Sequence, residues 1–159
     1  MPVYSRSYWP SNQFGYPHNL RIFGPLISVE IGVPQALAQH LSSHNLPVPA
    51  PVPGVALIDT GASITSVDNS VFRTLRTQPV SIATVGGAHG SAQQSVYPAS
   101  ISFPGTALQG LDFNQVLGCD ISGQATGLQQ PLIALVGRDL LQHFVFIYHG
   151  PMGLITFAH

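Results

Sequence analysis

Lysine is absent from this chain and charge of either sign is scarce: five arginines and six acidic residues leave only 7% of 159 positions charged. A formal net charge of −1 gives no basic footprint, which argues against nucleic acid as a partner. Cys119 is the single cysteine, so no intrachain disulfide forms, and it reads as a small buried hydrophobe rather than a nucleophile. No window approaches about 18 consecutive apolar residues, so no membrane span is expected. The first ten residues lack the continuous apolar core of a signal peptide, so a cytoplasmic location is the expectation. Also missing are a Gly-x-Ser-x-Gly elbow, a phosphate-binding glycine motif and a dinucleotide fingerprint. His40 and His44 are spaced to form half a metal site on a helix, but no third ligand follows at useful spacing. Surface or capping histidines are the simpler reading, and no metal or cofactor is expected.

What is present is enough apolar residue, 45% of the chain, for one folded domain with a real core. So few charges leave a surface that tolerates self-association. Residues 1–25 mix Tyr, Trp, Phe, Pro and Ser without a period and read as an arm or an extension packed on a body spanning 26–159. Alternation over 26–32 predicts a half-buried strand, and Pro34 suits the first turn of a short helix through residue 41. Four prolines and a glycine make 47–54 an extended connector. Asp68 fits the N-cap of a helix presenting Val71, Phe72 and Leu75 on one face. Strands are predicted at 79–85, 94–103 and 111–117, followed by a polar loop over 118–130. The apolar run 131–136 leads to a short helix near Leu140, and 144–148 pairs with 154–157 as a hairpin around Gly150 and Gly153. Short strands at regular spacing with two or three small helices indicate a mainly β, barrel-like domain.

Six acidic residues can be weighed one by one: Glu30, Asp59, Asp68, Asp112, Asp120 and Asp139. Asp59 stands apart. Val55-Ala56-Leu57-Ile58 delivers it to Thr60-Gly61-Ala62-Ser63, an apolar strand that ends in an ionisable group. Burying a carboxylate without a partner is costly, so that placement demands a use. About 75 residues on, Leu135-Val136 precede Gly137-Arg138-Asp139 and a short apolar helix. Between the two lies Thr84-Val-Gly-Gly-Ala-His-Gly-Ser-Ala92, a glycine-rich hairpin candidate.

In order and spacing these three stretches resemble the retropepsin-like, retroviral-type aspartic proteases over roughly residues 25–158. The resemblance implies a closed β-barrel with a flap hairpin, and an endopeptidase acting on a peptide or protein. Asp59 is then catalytic, Thr60 braces the carboxylates, and Gly61 and Ala62 shape the turn. Gly86, Gly87, Ala88, His89 and Gly90 form the flap over substrate. Arg138 and Asp139 steady the dimer and active-site region; the family's usual acidic partner for the arginine is replaced here by Ser63 and Ile64, leaving Asp139, Asp68 or a backbone carbonyl. Ala62, where many acid-active relatives carry Ser, suggests activity nearer neutral pH.

Peptide hydrolysis by carboxylates needs two of them, one to take a proton from water and one to protonate the scissile carbonyl. Two carboxyls about 3 Å apart share one proton because both cannot ionise, and aspartic proteases are the type case of that arrangement. Cys119-Asp120-Ile121-Ser122-Gly123 is the only other candidate turn, but it carries an extra residue and lacks the apolar lead-in. The economical solution is a C2 homodimer in which each copy contributes Asp59. The alternative is a non-catalytic peptide-binding or dimerisation module of the same fold.

Overall fold

The computed structural model describes residues 2–7, 16–87, 90–121, 123 and 130–158. The described chain is mainly β. In order it comprises β1 (Val3–Ser7), α1 (Tyr16–Phe23), β2 (Leu26–Gly32), α2 (Gln35–Ser43), β3 (Val52–Ile58), β4 (Ser66–Asp68), α3 (Asn69–Leu75), β5 (Ser81–Gly87), β6 (Gly90–Ser102), β7 (Leu111–Cys119), β8 (Leu132–Val136), α4 (Arg138–Leu141), β9 (Val145–His149) and β10 (Leu154–Ala158).

The larger sheet runs β2-β3-β8-β4-β7-β6-β5, and a further β2–β6 pairing, Glu30↔Ser102 to Gly32↔Ser100, returns the run onto itself. β2 alternates as its sequence predicts: Ile27, Val29 and Ile31 are fully buried, whereas Ser28 and Glu30 are not. β3 begins earlier than its composition suggests, inside the Pro/Gly connector. Pro53 pairs only with Glu30 of β2, because the ladder to β8 starts at Val55↔Leu132; a proline at a position with one ladder loses little. Gly54 follows because a Cβ there would lie 2.7 Å from Ile133 Cγ1.

α3 forms as its cap predicts. Ser70 N–H and its hydroxyl both donate to Asp68 Oδ1, and Val71, Phe72 and Leu75 are buried. The three-stranded sheet β1-β10-β9 closes the other side of the core, with Ile155 and Phe157 fully buried. Phe157 stacks on Phe144, ring centroids 4.5 Å apart, and meets Phe103 at 5.8 Å. Within residues 1–25, β1 pairs with β10 from Val3↔Ala158 to Ser7↔Leu154, and Leu20 of α1 is buried in the core. Among the described residues, no helix is long and apolar enough to cross a membrane.

Candidate active site

Asp59 emerges one residue beyond β3, and the parallel neighbour β8 fixes where it emerges. Leu57 pairs with Leu135 and Ile58 with Val136, after which Asp59 N–H donates to the Val136 carbonyl at 2.9 Å. The two strands therefore release their loops side by side. The Asp59 side chain closes its own turn: Oδ1 accepts from Gly61 N–H at 2.9 Å, and the Asp59 carbonyl accepts from Ala62 N–H at 3.2 Å. A Cβ at position 61 would sit 3.1 Å from that same Oδ1, so glycine keeps the carboxylate seated. Asp59 is partly exposed and Thr60 and Gly61 are exposed, so the tip of the turn faces outward. The Asp59 Oδ2 and the Thr60 hydroxyl accept or donate no hydrogen bond among the described residues.

The second loop locks onto the first through backbone and side chains alike. Arg138 N–H donates to the Ala62 carbonyl at 3.0 Å, and Asp139 N–H to the Ser63 carbonyl at 3.3 Å. Gly137 makes that approach possible: a Cβ there would lie 2.6 Å from the Ile64 carbonyl carbon and 2.8 Å from Thr65 N. Arg138 Nη1 donates to the Thr60 and Gly61 carbonyls at 2.7 and 2.9 Å. Of the partners left open by the sequence, backbone carbonyls are the ones taken. The guanidinium thus orients two peptide groups of the Asp59 turn through a single nitrogen, Nη1.

Asp139 turns inward. Its carboxylate accepts from Thr65 N–H at 2.9 Å, the Thr65 hydroxyl at 2.7 Å and Leu140 N–H at 2.9 Å. The Thr65 hydroxyl oxygen accepts in turn from Gly137 N–H at 3.0 Å. Thr65 is fully buried and, with Asp68, one of two buried polar side chains among the described residues. Sequence reasoning missed it. Ser63-Ile-Thr-Ser66 reads as a plain polar loop, and nothing local marks the third residue as the one that threads between two loops.

The fold thus gathers Asp59, Thr60, Gly61, Ala62, Arg138 and Asp139 into one place. Gly86, Gly87 and Gly90 lie elsewhere in the chain's ladder, on the β5–β6 hairpin, whose pairing runs out to Gly87↔Gly90. Ala88 and His89 lie outside the described residues. Gly90 has φ +118°, a conformation that favours glycine, and a Cβ at Gly86 or Gly90 would meet nothing within 4 Å.

The remaining candidates have local roles. Asp112 Oδ2 accepts from Gln35 N–H at the start of α2, 2.8 Å, and Asp120 accepts from the Asn69 amide at 3.0 Å. His44 Nδ1 lies 2.8 Å from the His40 carbonyl, and the two rings pack 4.3 Å apart at the C-cap of α2. Among the described residues, no three His, Cys, Asp or Glu side chains are grouped to hold a metal ion. Burial, with Asp68 and Asp120 adding to it, pushes the Cys119 thiol up to about 11, although a hydrogen bond from Ser66 opposes them. At neutral pH it is a thiol and a poor nucleophile.

No protein-family model and no curated protein sequence matches the chain. Among solved structures, the chain is similar to EIAV protease complexed with the inhibitor HBY-793, with 20% identity, 75% of this chain and 86% of that one covered, and a TM-score of 0.49. It is similar to the simian foamy virus (mac) protease at 17% identity, covering 74% and 92%, TM-score 0.45. A retropepsin-like aspartic protease from Rickettsia conorii is similar at 14% identity, covering 85% and 92%, TM-score 0.46.

Proposed function

We propose that this chain is an aspartic endopeptidase of the retropepsin type, active as a homodimer in which Asp59 of each copy contributes one carboxylate. The observation that carries the reading is the state of Asp59 itself. It is a partly exposed carboxylate at the tip of a turn held by Gly61 N–H, by the Val136 carbonyl and, through Arg138, by its own peptide groups. One oxygen and the neighbouring Thr60 hydroxyl are left for partners beyond the chain.

In the dimer one carboxylate takes a proton from water as the water oxygen bonds to the scissile carbonyl carbon. The other carboxyl passes its proton to the carbonyl oxygen, giving a tetrahedral diol. Collapse of the diol breaks the C–N bond as the nitrogen takes up a proton and the dyad returns to its single-proton state. Thr60 braces the pair, and the β5–β6 hairpin covers an extended peptide.

The face of β1-β10-β9 turned away from the core suits contact with a second copy. In the register Val3↔Ala158↔Val145 and Ser5↔Thr156↔Ile147, Val3, Val145 and Ile147 are 58%, 53% and 51% exposed. These are three exposed apolar side chains around a polar Ser5–Thr156 pair, and a second copy would cover them.

The test is a peptide-library digest by purified wild type and Asp59→Asn at several protein concentrations. Cleavage by wild type rises more steeply than linearly with concentration near the dimer dissociation constant. The variant loses at least about a thousandfold in rate, with circular dichroism and sedimentation unchanged. Turnover retained by the variant would overturn the assignment. Wild type that cuts nothing across about pH 3–8 at high concentration would favour the peptide-binding module.

A further inference from the structure

Two of the chain's five arginines converge where neither the Asp59 turn nor the chain's own acids use them. A cavity of about 590 Å³ lies between α3 and the root of the β5–β6 hairpin, with Arg73, Arg76, Gln78, Ser95 and Tyr97 in its wall and no Asp or Glu. Neither guanidinium forms an ion pair or hydrogen bond among the described residues. Asp120 approaches from one side but is bonded to the Asn69 amide at 3.0 Å. Asp68, at the opposite end of α3, is engaged with Ser70 and with Ile121 N–H.

The site has built walls. Tyr97 stacks on Phe72 with ring centroids 3.8 Å apart and planes within 8°. Gly118 lies under both neighbours: a Cβ there would meet Asn69 Oδ1 at 2.5 Å and Tyr97 Cε2 at 2.8 Å. Arg76 holds the left-handed conformation, φ 55°, at the end of α3, where glycine is the usual occupant and any side chain is strained. Arg76 N–H donates to the Arg73 carbonyl and Thr77 N–H to the Phe72 carbonyl, so two of the helix-end carbonyls that would repel an anion are already occupied. Thr77, also in the wall, has a buried hydroxyl oxygen with no partner among the described residues.

We propose that this cavity binds a small ligand bearing an oxyanion, a phosphate or a carboxylate. Arg73 and Arg76 hold the charge, and Tyr97 offers an aromatic surface to the remainder. Guanidinium forks match both groups in geometry, so the source is separated by experiment.

Isothermal titration of the full chain with inorganic phosphate and, separately, with citrate, at fixed ionic strength maintained with chloride, measures the site directly. The expected result is one saturable site for at least one of the two, the tighter probe naming the source. Arg73→Gln/Arg76→Gln weakens it at least about tenfold while the circular dichroism spectrum is unchanged. Gln39→Glu/Ser42→Glu, on exposed α2, lowers net charge equally and leaves binding intact. A titration that fails to saturate with either probe overturns the proposal. So does equal affinity in the arginine double variant, or an equal loss in the α2 control.

Discussion

Two regions of this molecule carry its glycine-rich turns, and they are built in opposite ways. Around Asp59, residues 59–65 and 137–140 hold each other through backbone bonds, the Arg138 Nη1 bonds and the Asp139 carboxylate, with Thr65 fully buried between them. At Gly137 a Cβ would strike backbone at 2.6 Å, and at Gly61 it would crowd the Asp59 carboxylate at 3.1 Å. In the β5–β6 hairpin, β5 pairs only with β6 among the described residues, Val80 and Ile82 are 63% and 68% exposed, and a Cβ at Gly86 would strike nothing. The same residue type serves close packing in one place and freedom in the other. The turn that presents the Asp59 carboxylate is fixed from behind by the second loop. A hairpin with few buried contacts belongs to the low-stability end of the molecule, where opening costs little.

The comparison breaks hardest at Gly137. Gly137→Val puts a branched side chain where its Cβ alone lies 2.6 Å from the Ile64 carbonyl carbon. Backbone must move, and the Thr65–Asp139 bonds move with it. The expected loss is about 3 kcal/mol or more, which at this chain length lowers the thermal midpoint by about 10 °C. Calorimetry showing a loss under about 1 kcal/mol would mean that the two loops are not interlocked.

Asp139→Ala comes next. It leaves Thr65 N–H and the Thr65 hydroxyl without their acceptor, while Leu140 N–H keeps the Gly137 carbonyl at 3.2 Å. Orphaning buried donors costs about 1–3 kcal/mol each, less where the group reorients, so about 2–4 kcal/mol is expected. Asp139→Asn keeps one carbonyl acceptor and loses roughly half of that. Urea denaturation reads both, with midpoints shifted in that order and an unchanged slope. Equal stability of Asp139→Ala and wild type would remove Asp139 from the framework.

These two regions were unequally legible in the sequence, for physical reasons. Period-two alternation bounded by Gly and Pro placed β2 and the β9–β10 hairpin, and Asp68 ahead of Val71, Phe72 and Leu75 placed α3 with its cap. The Asp59 turn and Gly137-Arg138-Asp139 are paired through their resemblance, in order and spacing, to the two signatures of the retropepsin-like family. β4 could not be placed. At three residues it has no period, and it exists because β7 and β8 take it in from either side, Ser66↔Leu117 and Ser66↔Leu135. Thr65 escaped for the same reason, since its burial is created by a loop 74 positions away. β1 and α1 lie in an aromatic and polar stretch whose order comes from β10 and the core. The Arg73–Arg76 cavity needs α3 and β6 together, which no local pattern announces.

The smallest stability effect is expected on the hairpin, and it is the one that separates the two building modes most cleanly. Ile82 is mostly solvent-exposed and pairs with Ser95 across the ladder. Ile82→Ser removes little buried area and keeps the strand's backbone, so stability changes within about 0.5 kcal/mol. If the hairpin covers substrate as proposed, an exposed isoleucine on it gains its worth only when a peptide lies against it. Turnover of a peptide substrate should therefore show a raised KM, several-fold for the loss of one apolar contact worth about 1–2 kcal/mol, with kcat less affected because the Asp59 turn is untouched. Unchanged KM with unchanged stability would show the Ile82 face of the hairpin to be idle. A stability loss like that of Asp139→Ala would show it to be framework, and the contrast between the two regions would fall.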